Sequence, residues 1–283
     1  MHNFIVRTIT AIIFVVVIVA SFLRPETMVL LFAFISGLTI WEFTGLTNDR
    51  FQVYVNRTIS SIGGAYLFLA MACYCSEITT SAVFIPYLVT LIYMMVAELY
   101  LKKPDPIHDW AYTMMTQLYI ALPFSLLNAL AFHYSPNNFV IFDPILPLCV
   151  FVFLWINDAG AYICGSLLGR HKLFPRISPG KSWEGSIGGG ILVMIVAVVI
   201  WHLTEAYGYN HLALTHLQWA GLGLVIVIFG TWGDLIESLF KRTLDIKDSG
   251  NVLPGHGGML DRFDSTLLAI PAALVYIYTL LYI

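Results

Sequence analysis

The chain has 283 residues, 59% of them hydrophobic and only 11% charged, with a formal net charge of -3. A soluble domain carries about 25% charged residues, so this composition excludes an ordinary soluble protein and points to a polytopic membrane protein. So small a net charge singles out no class of partner, and no nucleic acid is expected.

The expected fold class is all-α, with about nine transmembrane helices. Apolar runs of about 20 residues, long enough to span a bilayer, lie at 4–23, 27–46, 58–76, 80–100, 111–133, 138–157, 185–204, 217–240 and 264–283. The first lacks an Ala-x-Ala cleavage site and reads as a retained helix. The sixth meets no helix breaker before Gly169 and can run on to it. Cys73, Cys75, Cys149 and Cys164 lie inside apolar runs without a CxxC pair or a Cys/His cluster. They therefore read as packing residues, not as zinc ligands or disulfides.

Lys and Arg set the orientation. Four alternate connections carry Arg50 and Arg57; Lys102 and Lys103; Arg170, Lys172, Arg176 and Lys181; and Lys241, Arg242, Lys247 and Arg262. Together these are 12 of the 14 basic residues. Those loops and the N-terminus are expected in the cytoplasm and the C-terminus outside, as an odd number of spans requires. Residues 1–135 read as a transmembrane scaffold. Residues 136–283 read as a catalytic transmembrane region with cytoplasmic loops at 170–184 and 241–263.

Four polar clusters interrupt this apolar background. Asn157-Asp158 closes the sixth span, with Asn157, Ala161 and Gly165 on one helix face. A carboxylate at mid-membrane costs about 2.5–3.5 kcal/mol; an Asp at the interface avoids that cost. Ser178-Pro-Gly-Lys-Ser-Trp-Glu-Gly185 ends its loop with Gly180-Lys181-Ser182 but is not a Walker loop, because Pro175 stands where the first glycine belongs. Exposed backbone N–H groups, Lys181 and a helix start near Trp183 still suit a phosphate. Asp234, Glu237, Ser238 and Lys241 follow one another at spacings of three and four on one helix face. Last comes a loop with Lys247-Asp248, Pro254-Gly-His-Gly-Gly258 and Asp261-Arg262-Phe-Asp264. Asp261 and Asp264 are one helical turn apart. Hard oxygen donors without cysteine suit Mg²⁺, which with carboxylates and a phosphate-bearing substrate serves phosphoryl or nucleotidyl transfer. His256 is a candidate base, phosphate donor or turn-stabilising residue.

Several membrane enzymes fail on these residues. Ala161 stands where the second Asp of a polyprenyl transferase belongs, and neither the opening of a CDP-alcohol phosphotransferase nor a Gly-x-Ser-x-Gly elbow is present. The segment Ser238-x-x-Lys241-Arg242, Lys247-Asp248, Pro254-x-His256-Gly257-Gly258, Asp261-Arg262-x-Asp264 instead resembles the defining motif of the phosphatidate cytidylyltransferases, or CDP-diacylglycerol synthases, without departure over its 27 residues. Asn157-Asp158-x-x-Ala161-Tyr162-x-x-Gly165 and Ser178–Gly185 are similar to upstream segments of that family. The short chain resembles the bacterial members.

The resemblance implies Mg²⁺-dependent nucleotidyl transfer from CTP to phosphatidic acid, giving CDP-diacylglycerol and pyrophosphate for phospholipid synthesis. It also implies a multi-pass homodimer, expected in the inner membrane with its site on the cytoplasmic face. On this reading Asp234, Asp248, Asp261 and Asp264 hold metal, and Asp158 holds a second cation or orients the first. Lys181, Lys241, Arg242, Lys247 and Arg262 neutralise phosphates. Asn157, Ser178, Gly180, Ser182, Glu184, Gly257 and Gly258 belong to the substrate site, and His256 to the catalytic set. Two rivals remain. One is a related lipid enzyme, such as a CDP-archaeol synthase or a polyprenol kinase relative; the other is an ion-coupled transporter using Asp158 and Asp234.

Overall fold

The structure is a computed structural model that describes residues 2–134, 139–250, 252 and 257–282. Ten α-helices follow in order, with two short β-hairpins: α1 His2–Ser21, α2 Pro25–Phe51, α3 Arg57–Cys75, α4 Ile85–Leu101, α5 Pro106–Thr116, α6 Leu122–Ala131, β1 Phe132–Tyr134, β2 Val140–Phe142, α7 Ile145–Leu168, β3 Lys172–Phe174, β4 Ser178–Ser182, α8 Trp183–Ala206, α9 His216–Thr243 and α10 Leu260–Tyr282. A single π turn, Gln117–Ala121, joins α5 to α6 in one continuous span.

Among the described residues, eight helical segments are long and apolar enough to cross a membrane: Pro25–Phe51, Arg57–Cys75, Ser81–Leu101, Pro106–Ala131, Ile145–Leu168, Trp183–Ala206, His216–Thr243 and Leu260–Leu281. They match eight of the expected spans. The first expected span corresponds to α1, whose searched apolar stretch, Thr8–Ser21, is shorter.

Three boundaries differ from expectation, the first two for a local reason. The fifth span begins at Pro106, because Asp105 caps it by accepting from the His108 N–H at 3.2 Å and proline suits the first helical position. The sixth begins at Ile145 and not near 138, because Val140–Phe142 pairs antiparallel with Phe132–Tyr134 and Pro144 keeps Asp143 from helical backbone. It runs on to Leu168. The last helix starts at Leu260, four residues before the expected 264.

The chain forms two compact units. The first is Met1–Pro144 with Ile246–Phe263; the second is Ile145–Asp245 with Asp264–Ile283. The core of the first unit is aromatic. Phe263 is fully buried, with ring centroids 5.3 Å from Phe124, 5.7 Å from Phe14 and 6.3 Å from Phe32; Phe32 in turn stacks on Phe68 at 6.3 Å. Such pairs add about 0.5–1.5 kcal/mol each beyond the area they bury. Hydrocarbon favours satisfying buried polar groups across helices, as Gln117 shows: it donates to the Ser60 carbonyl at 3.1 Å and accepts from the Tyr87 hydroxyl at 3.2 Å.

The second unit is held by close helix approach. A Cβ on Gly189 of α8 would lie 2.6 Å from Asn157 Oδ1 and 2.8 Å from the Asn157 carbonyl of α7, and one on Gly185 would lie 2.7 Å from the Ala161 carbonyl. Small residues permit this backbone contact, the usual means of joining helices in a bilayer. The face Asn157, Ala161, Gly165 therefore packs against the glycines of α8. The buried Asn157 Oδ1 has no hydrogen-bond partner among the described residues.

Candidate active site

The C-terminal end of α9 carries the first group. The helix is started by a capping box in which Thr215 and Gln218 satisfy each other's backbone N–H groups. Its last turns present one polar face, as the spacing predicts: Ser238 donates to Asp234 Oδ1 at 3.1 Å, and Lys241 Nζ pairs with Glu237 Oε2 at 2.5 Å. The Glu237 side chain is wholly buried and Lys241 nearly so. A desolvated pair of this kind adds little net stability, but removing one partner strands the other at a cost of about 3–5 kcal/mol. Arg242 is exposed in the same last turn, where cations oppose the helix dipole.

The 170–184 segment contains a β-hairpin. Ser178–Ser182 forms β4, paired antiparallel with β3 through Lys172 opposite Ser182 and Phe174 opposite Ser178. On β4 Gly180 is exposed with open space beside it, while Ser182 is buried and caps α8 by accepting from the Gly185 N–H at 3.2 Å. Glu184 closes the hairpin base, pairing with His171 Nδ1 at 2.6 Å and accepting from the His171 N–H at 3.2 Å. An open cleft of about 790 Å³ at this base is lined by Arg170, Lys172, Trp183 and Ile187, among others. Lys181, half-buried on β4, forms an ion pair with Asp234 Oδ2.

Within the second unit these elements bring three sequence-predicted residues into electrostatic range of a fourth, Asp264. Asp264, half-buried in α10, feels the charges of Asp234 and Lys241 of α9 and of Asp158, exposed on α7. With Lys181 the group holds three carboxylates and two ammonium groups. Among the described residues no three His, Cys, Asp or Glu side chains form a ready-made metal cage. Mg²⁺ seldom uses one; it is held by one or two carboxylates together with substrate phosphates and waters. The donor set, all hard oxygen with nearby cations to balance it, fits that mode.

The remaining motif residues belong to the first unit. Lys247, Asp248 and Arg262 are exposed. Asp261 Oδ2 accepts from the Ser249 N–H at 2.8 Å, the Ser249 hydroxyl at 3.0 Å and the Gly258 N–H at 2.8 Å. Gly257 has φ +83°, which a side chain resists, and a Cβ there would meet Asp261 Oδ2 at 2.5 Å. Pro254, Gly255 and His256 lie outside the described residues.

Sequence reasoning missed one residue here. Glu42, buried in α2, accepts from the Met259 N–H at 2.9 Å, the Leu260 N–H at 3.1 Å and the Ser249 hydroxyl. The signal was available: a lone carboxylate within an apolar run, costing about 2.5–3.5 kcal/mol if unpartnered, is the argument already applied to Asp158 and Asp234.

Comparison with known proteins bears directly on these segments. The chain is similar over 271 residues to a protein named phosphatidate cytidylyltransferase from Staphylococcus haemolyticus, at 33% identity covering 94% of this chain and 96% of the relative. A Staphylococcus aureus protein of the same name is 32% identical with the same coverage. One from Haemophilus influenzae is 32% identical over 279 residues, covering 94% and 95%. The profile of the cytidylyltransferase family matches residues 5–280, which takes in both units and all four polar clusters. The chain belongs to the cytidylyltransferase family.

Proposed function

We propose that the chain transfers the cytidylyl group of CTP to phosphatidic acid, giving CDP-diacylglycerol and pyrophosphate. The observation that carries this reading is the group Asp158, Lys181, Asp234, Lys241 and Asp264, three carboxylates and two lysines gathered in a chain of this family. The relatives' printed name supplies the lipid acceptor.

A phosphate oxygen of phosphatidic acid attacks the α-phosphorus of CTP. The new P–O bond forms as the bond to the bridging oxygen of the β-phosphate breaks, and pyrophosphate leaves with that electron pair. A phosphomonoester has a second pKa of about 6, so the attacking group is already largely ionised near neutrality and needs no dedicated base. His256 is therefore assigned to phosphate contact and not to proton removal.

Charge neutralisation and orientation are then the main tasks. Lys181 exchanges its Asp234 carboxylate for phosphate oxygens when nucleotide arrives, and Lys241, Arg242, Lys247 and Arg262 contribute further positive charge. Asp158, Asp234 and Asp264 are the residues that would hold Mg²⁺, which when bound supplies Lewis-acid stabilisation of charge on the triphosphate. Asp248 and Asp261 are proposed as further carboxylates of the reaction, Asp261 with one oxygen already engaged in shaping its loop. The cleft at the hairpin base joins the cations Arg170 and Lys172 to the apolar Trp183 and Ile187. That pairing suits a lipid phosphate at a membrane surface. The Lys and Arg distribution supports a site on the cytoplasmic face of a nine-span chain with the C-terminus outside, and the family resemblance supports a homodimer in the inner membrane.

Label position tests the reading. CTP labelled at the α-phosphorus should transfer label to the lipid, and CTP labelled at the γ-phosphorus should place it only in pyrophosphate. Lipid labelled from the γ-position would make the enzyme a kinase and overturn the proposal.

A further inference from the structure

We propose that Glu42 is a positioning residue for the motif loop, delivered from α2, and that transfer depends on its carboxylate although Glu42 itself contacts no substrate. The inference rests on the function proposed above.

The geometry is that of a helix cap supplied from another helix. The first N–H groups of α10 have no acceptor within their own helix. Met259 and Leu260 send two of them to the Glu42 oxygens, at 2.9 and 3.1 Å. A negative charge is the favoured partner at that end of a helix. The third donor is the Ser249 hydroxyl. An ionised carboxylate only accepts, so it suits three donors; an amide in its place would turn an N–H group toward another N–H.

The loop is cut to admit this side chain. A Cβ on Gly250 would lie 2.6 Å from Glu42 Oε2, and one on Gly258 would run into both Glu42 Oε1 and Ser249 Oγ. Two glycines of the segment are thus accounted for by the proximity of Glu42. Ser249 carries the constraint onward. Its hydroxyl reaches Asp261 Oδ2 as well as Glu42, and its N–H and that of Gly258 converge on the same Asp261 oxygen. Glu42 therefore fixes Ser249, Ser249 fixes Asp261, and Asp261 fixes the amides at Gly258. A loop shift of about 1 Å is enough to cost a hundredfold in rate.

The test uses the purified full-length protein in mixed micelles, comparing Glu42→Gln, Glu42→Asp, Ser249→Ala and the double variant Glu42→Gln/Ser249→Ala. In Glu42→Gln, kcat should fall about a hundredfold with the KM for phosphatidic acid unchanged, and the Met259 and Leu260 amides should exchange faster while those of α3 and α6 do not. Glu42→Asp, which keeps the charge, should recover about tenfold of the loss. Because Glu42 acts through Ser249, the double variant should be no slower than Glu42→Gln alone. The proposal is overturned if Glu42→Gln turns over within about threefold of the parent. It is equally overturned if Gln and Asp are alike and exchange rises throughout α2, α3 and α6, since that is loss of fold and not of position. If the parent protein forms no CDP-lipid, the functional reading fails instead, and amide exchange at Met259 and Leu260 still decides whether Glu42 holds the loop.

Discussion

Asp234 answers to two partners at once, a serine one turn along α9 and a lysine from β4. Both interactions hold the carboxylate in place before any substrate arrives. Asp234→Asn keeps the shape and removes the charge. It should lower kcat by about 10²–10³-fold, the cost of losing one preorganised electrostatic group, with the protein still inserted and monodisperse; steady-state assay beside size-exclusion chromatography checks both halves. Lys241 and Glu237 make a sharper test, because stability and activity should separate. Lys241→Met removes the ammonium that pairs with the buried Glu237 carboxylate and should cost about 3–5 kcal/mol, seen as a lower thermal midpoint. Adding Glu237→Met should restore most of the stability and none of the activity.

Legibility at this scale followed one rule: charged residues inside apolar runs announced themselves. Asp158 and Asp234 were found that way, Lys241 by its spacing along one helix face and Asp264 by its place one turn after Asp261, and all four fall in the second unit. Glu42 obeyed the same rule and was passed over, because it stands alone in its span and its partners are more than 200 positions away in the chain. Nothing local marks such a partner. Gly258 was assigned to the substrate site and Gly250 was passed over, when close approach of Glu42 leaves no room for a side chain at either.

At the level of elements, helices were read well and strands were not. Apolar runs with proline or a capping residue at their starts gave the spans within about five residues, the sixth excepted. Ser178–Ser182 contains proline and glycine and looks like a turn; it becomes a strand only because Lys172–Phe174 is available to pair with it. The α7–α8 pair was half legible. The small residues of α7 were noticed as one face, yet the physical reason is contact with Gly185 and Gly189. Gly189→Val should force these helices apart and cost about 1–3 kcal/mol, as overpacking does, measured as a fall in thermal midpoint. The hairpin cleft gives a kinetic prediction. Arg170→Ala/Lys172→Ala should raise the KM for phosphatidic acid about tenfold, the worth of one or two charge-assisted phosphate contacts. The KM for CTP should stay as it was; a rise confined to CTP would remove the cleft from the lipid's path.

For the whole molecule, the motif segment enters both compact units, residues 246–263 falling in the first and 238–245 and 264 in the second. Contact between distant stretches decides such a division, and no linear boundary in the sequence expresses it. Orientation is the part of the account that rests on Lys and Arg alone. Single cysteines introduced at Arg176 and Asn210, in a background lacking Cys73, Cys75, Cys149 and Cys164, should react with an impermeant thiol reagent from opposite sides, position 176 only from the cytoplasm. Reaction of both from one side would refute the assigned topology. The central claim is nucleotidyl transfer to a lipid phosphate, and the most direct measurement is pyrophosphate release by the purified protein in detergent with CTP and Mg²⁺. The account predicts release that requires phosphatidic acid, matches CDP-diacylglycerol mole for mole, stops when Mg²⁺ is chelated and is lost in Asp234→Asn. Release that ignores phosphatidic acid, or that an isoprenoid phosphate supports equally well, would contradict it.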